Sequence, residues 1–107
     1  MNIMPGSSPA DLVVTFRSIP RRLREAQADA PASVTAAPMR ELNTKLELAA
    51  RQLGCQATPE AIAGAIEKVP HARDWDDDKL EALREAALDI GRTLRSIQSA
   101  SAAWRQG

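Results

Sequence analysis

Aromatic side chains are nearly missing from this sequence: Phe16, Trp75 and Trp104 make up 3% of its 107 residues, and tyrosine is absent. Strands favour β-branched and aromatic residues, so a chain this poor in aromatics and rich in Ala, Leu, Arg, Glu and Gln is expected to be helical. Cysteine occurs once, at Cys55, which excludes an internal disulfide and gives no sign of an oxidising compartment. Histidine also occurs once, so Cys–His catalysis would have to join Cys55 to His71. The sequence contains no GxxxxGK[ST], GxGxxG, HExxH or GxSxG pattern. Excess charge of one sign is missing as well: 14 basic side chains balance 14 acidic ones. That balance removes the general electrostatic pull toward nucleic acid or an anionic membrane. No apolar run approaches the roughly 20 residues of a membrane span, and MNIMPGSSP has neither a basic n-region nor a signal-type apolar run. These absences predict a cytoplasmic protein that is not an enzyme, holds no cofactor or metal and takes no small-molecule substrate.

What is present is a long heptad seam. Leu80, Leu83, Ala87, Ile90, Leu94, Ile97, Ser101 and Trp104 alternate steps of three and four without a break. A period of 3.5 keeps one apolar line facing a partner, where the 3.6 period of a straight helix would let it drift. The spacing predicts a helix over 75–104 that is covered along almost all of its length. Asp76, Asp77 and Asp78 suit its positive N-terminal end, and Asp78 with Glu81 has capping-box spacing. Arg92, Arg95 and Arg105 suit its other end.

Three shorter helices precede it. Ser8-Pro9 supplies a cap and a first-turn proline for a helix running to about Gln27, with Leu12, Phe16, Ile19 and Leu23 on one stripe. Pro20 should kink it or split it in two. After a linker at 28–33, Met39, Leu42, Leu46, Ala49 and Leu53 predict a second helix from about Thr35 to Leu53, closed by Gly54. Pro38 would lie in or just before its first turn, and Glu41–Lys45 and Glu47–Arg51 are spaced as i,i+4 pairs. Thr58-Pro59-Glu60 opens a third, short helix with Ile62, Ile66 and Val69 on one edge and Pro70 at its end. The expected architecture is all-α. Residues 1–7 form a flexible N-terminus, and 8–107 form a single domain folded as a small four-helix bundle with the second and fourth helices antiparallel.

Three functional readings follow. Asp74, Asp76, Asp78 and Glu85 occupy positions 1, 3, 5 and 12 of an EF-hand count, yet Lys79 stands where that loop needs glycine, and the heptad seam demands helix there. The acids are therefore read as stabilising a helix start. Residues 45–69, with Ala49-Ala50-Arg51-Gln52-Leu53-Gly54 followed by Thr58-Pro59-Glu60-Ala61-Ile62, resemble a degenerate helix-turn-helix, which implies a DNA-binding regulator. Its turn is longer than the pattern asks, and Glu60 and Glu67 outweigh Lys68 on the would-be reading helix. Arg17, Arg21, Arg22 and Arg24 form a second basic patch, the usual pattern of a solvated face. The leading expectation is a protein–protein interaction module. A helix of thirty residues spans about 45 Å, against about 30 Å for the second helix, so its distal end should overhang its partners. Leu94, Ile97, Ser101, Trp104 and Arg105 are the expected contact residues, with Trp104 as anchor and another protein or a second copy as partner.

Overall fold

The computed structural model describes residues 8–69 and 71–107. The flexible N-terminus expected at 1–7 and the helix stop expected at Pro70 lie outside them. Helix α1 spans Pro9–Gln27 and opens on a reciprocal capping box: the Asp11 N–H donates to Ser8 Oγ at 3.3 Å, and the Ser8 N–H donates to the Asp11 carboxylate at 3.2 Å. Pro20 does not split it; the helix runs unbroken through the ring. The proline forfeits one backbone bond, while Phe16 and Ile19, on the turn just before it, are fully buried and hold the segment by packing.

Helix α2 spans Ala32–Leu53 and starts three residues before the expected Thr35, with Pro38 inside it. The added turn, residues 32–34, half-buries Val34. Pro31, in extended backbone, caps this helix without a side-chain bond. At the other end Gly54 adopts φ 64°, and the N–H groups of Gly54 and Cys55 both donate to the Ala50 carbonyl. Helix α3 spans Pro59–Glu67, capped by Thr58 Oγ1, which accepts the Ala61 N–H at 3.2 Å. A 3-10 turn at Ala72–Asp74 leads to α4, Asp77–Gln106, thirty residues without interruption. Its cap is Asp76, which accepts the N–H groups of Asp78 at 2.8 Å and Lys79 at 3.3 Å, so the expected Asp78–Glu81 box does not form. A cap must be the last residue outside helical backbone, and Asp78 is already inside.

The four helices form an all-α bundle of 49 × 26 × 19 Å whose length is that of α4. α4 lies against α2 on one flank and α1 on the other, and α3 packs on α1 and touches the end of α2. The Lys45–Asp89 ion pair at 3.5 Å, with Gln52 and Ala82 sharing one groove, makes α2 antiparallel to α4, as expected. Arg22, Glu25 and Ala26 sit beside Leu94, Arg95 and Gln98, while Arg17, farther back on α1, pairs with Glu67 at the end of α3 that adjoins Trp75 and the start of α4, so α1 runs parallel to α4. Of the charged pairs expected on α2, neither forms among the described residues: Lys45 reaches across to Asp89 instead of Glu41, and Glu47 and Arg51 stay apart.

The core is Leu12, Phe16 and Ile19 from α1, Leu42, Leu46, Ala49 and Ala50 from α2, Ile62, Ala63 and Ile66 from α3, and the α4 seam. Trp75 closes one end, mostly buried, its indole N–H donating to the Val69 carbonyl.

Candidate functional site

The heptad seam of α4 is buried from Leu80 through Ser101, and only its last member, Trp104, reaches solvent, at 42% exposure. The expected overhang is therefore short. The extra turn at the start of α2 and the parallel course of α1 carry cover farther along α4 than the length estimate allowed. Leu94, Ile97 and Ser101, expected to meet a partner, are 3%, 0% and 0% exposed and belong to the chain's own core. Trp104 and Arg105 remain as surface residues at the tip.

Polar geometry at this end is unusual. Helical hydroxyls elsewhere fold back on their own backbone: Thr15 donates to the Asp11 carbonyl, Thr44 to that of Arg40, and Thr93 to that of Asp89, at 2.9 to 3.0 Å. Thr35 Oγ1 and Ser101 Oγ, both fully buried, have no hydrogen-bond partner among the described residues. The antiparallel register puts them at the same end of the bundle, where the first turn of α2 meets the last turns of α4. A buried hydroxyl without a partner costs about 1 to 3 kcal/mol, so this end is the least well satisfied part of the core.

The other candidate chemistries are placed apart or neutralised. Cys55 is half-buried beside a cleft of about 340 Å³ lined by Leu53, Val69, Trp75, Lys68 and Lys79. Burial pushes its thiol up from the ordinary value, more than its backbone hydrogen bond and the Lys68 ammonium pull it down. A thiol held protonated is a poor nucleophile. His71 is exposed and does not line that cleft, so the pair is not assembled. Asp74 falls in the 3-10 turn, Asp76 at the cap and Asp78 and Glu85 inside α4; among the described residues no three His, Cys, Asp or Glu side chains converge as a metal site.

In the helix-turn-helix segment, α3 turns Ile62, Ala63 and Ile66 inward and leaves Glu60, Glu67 and Lys68 exposed. Glu67 in turn accepts Arg17 at 2.9 Å, and Arg21 lies 3.9 Å from Glu25, so carboxylates offset half of the α1 arginine patch. Among the described residues no helix is long and apolar enough to cross a membrane.

One surface was not read from the sequence. Leu48 is 45% exposed at the edge of a groove of about 210 Å³ between α2 and α4. Lys45, Leu48, Ala49 and Gln52 form one wall and Ala82, Glu85, Ala86 and Asp89 the other, each an i, i+3, i+4, i+7 set. The available signal was Leu48 itself, a leucine lying off the 42-46-49-53 stripe of its helix. Val14, 69% exposed on α1, is a second such residue.

No protein-family model, curated protein or solved structure matches this chain, so its function has to be argued from its surface.

Proposed function

We propose that this chain is a non-catalytic helical docking module that acts through protein contacts, with the end of α4 as one contact point. The observation that carries this reading is the exposed Trp104 at the end of a seam otherwise buried to its last residue. A large aromatic is a costly side chain to leave in water and the residue type most enriched at binding hot spots. The flanking Arg105 adds a cation that suits a partner's carboxylate.

The test is quantitative co-purification from the cells that make the protein, parent against Trp104→Asp. At least one protein recovered with the parent should be lost with the variant while the helical circular dichroism of the two stays the same. An identical set of recovered proteins would remove the tip from the reading.

A further inference from the structure

The groove between α2 and α4 has matched walls, which identifies what fits it. The Lys45–Asp89 pair fixes the antiparallel register, and counting from it sets Leu48 level with Ala86, Ala49 with Glu85 and Gln52 with Ala82 along the shared groove. Every level sets a larger or basic side chain against a smaller or acidic one, apart from the Ala49–Glu85 level. The apolar projection, Leu48, stands on α2, and the small residues that could receive it, Ala82 and Ala86, stand on α4.

We propose that this face is a homodimer interface, occupied by the same face of a second copy of this chain. A two-fold axis running along the groove lays α2 of one copy over α4 of the other without shifting either along its length. Leu48 then sits over the partner copy's Ala82–Ala86 depression, and the reciprocal contact forms at the same time, as an isologous interface requires. The same operation brings the basic wall, Lys45 with Arg51 beside it, onto the acidic wall, Glu85 and Asp89. Among the described residues Glu85 has no ion partner, and neither does Arg51. A different axis, across the groove, would set Leu48 near Leu48 and acid on acid; the charges select the first arrangement. The occupant is a helix pair because each wall already has the spacing that ridges-into-grooves packing uses.

This surface lies on the α2 and α4 segments around residues 45–52 and 82–89, away from Trp104, so the two contacts are separable. Sedimentation equilibrium of the parent should show a concentration-dependent dimer. Leu48→Asp should sediment as a monomer at every concentration with parent-like circular dichroism, and Trp104→Asp should remain dimeric. Leu48 is already exposed, so its replacement leaves the fold in place. As a second measurement, chains carrying Leu48→Cys and chains carrying Ala86→Cys, each also Cys55→Ser, are mixed under air oxidation. The mixture should give a disulfide-linked pair in excess of either chain alone. A parent that stays monomeric at its highest soluble concentration, a Leu48→Asp variant that still dimerises, or a mixture that links no better than its components would each overturn the proposal.

Discussion

Single residues decide more here than their sizes suggest. Thr35 and Ser101 are hydroxyl-bearing residues at positions where the seam calls for apolar ones, and among the described residues each leaves an oxygen without a partner. Ser101→Ala should therefore stabilise the fold by about 1 kcal/mol or more, read as a raised urea midpoint, whereas a hydroxyl that mattered through a hydrogen bond would give a loss of similar size. Gly54 is the opposite case. Its φ of 64° is left-handed backbone, and a Cβ there would touch nothing within 4 Å. Gly54→Ala should cost about 1 to 2 kcal/mol through the backbone alone, and Gly54→Asn should recover part of it. The Gly54 turn was legible in the sequence because glycine at the end of a periodic stripe has one dominant meaning. The α4 cap was misread by two residues because Asp76, Asp77 and Asp78 are chemically equivalent, and only the backbone shows which of them stands outside the helix.

At the level of elements, the three-four alternation located all four helices, since burying an apolar stripe is the main reason a short helix forms in water. Where the sequence reading failed, tertiary packing overrode a local rule. Pro20 was expected to kink or split α1 and Pro38 to stand in or just before the first turn of α2, yet α1 is not split and Pro38 lies inside α2. The early start of α2 extends cover to the level of Ser101, while Ile97 lies level with the part of α2 that was already expected and is core, not surface. Ile97→Ala should then destabilise the isolated chain by about 2 to 5 kcal/mol, the range for a cavity in a packed interior. A residue reserved for a partner would change the melting curve of the isolated chain very little. Leu48 was missed for a related reason: reading a helix by its main stripe assigns everything else to solvent, and an off-stripe leucine acquires meaning only once a neighbouring wall of small residues is known.

For the whole molecule, the division of labour along α4 is what counts. Residues 80 to 101 hold the bundle together and the final turn does not, since Trp104 and Arg105 are exposed. A chain ending at Ala103 should keep its helical signal and its urea midpoint within about 0.5 kcal/mol of the parent, as surface changes usually do, while losing whatever the tip recruits. A large drop in stability would mean that Trp104 packs inward in solution. Fold class was readable because composition and periodicity agree at every level, which is the condition for a sequence to specify one structure. Function was not, because docking depends on complementarity between surfaces, and one chain displays only its own side of each contact.

The position of α4 between α1 and α2 also governs the order in which this protein can become a protein. Its last helix is the shared wall of the other two long ones, and the pair Lys45–Asp89 joins residues far apart along the chain. During synthesis α1 and α3 can meet early, but most of the apolar stripe of α2 stays uncovered until α4 follows it, α3 touching α2 only at one end. The nascent polypeptide therefore carries an uncovered α2 from the completion of that helix until α4 follows it. Limited proteolysis of stalled chains should show the α2 segment cut readily until α4 is complete, then protected in a single step.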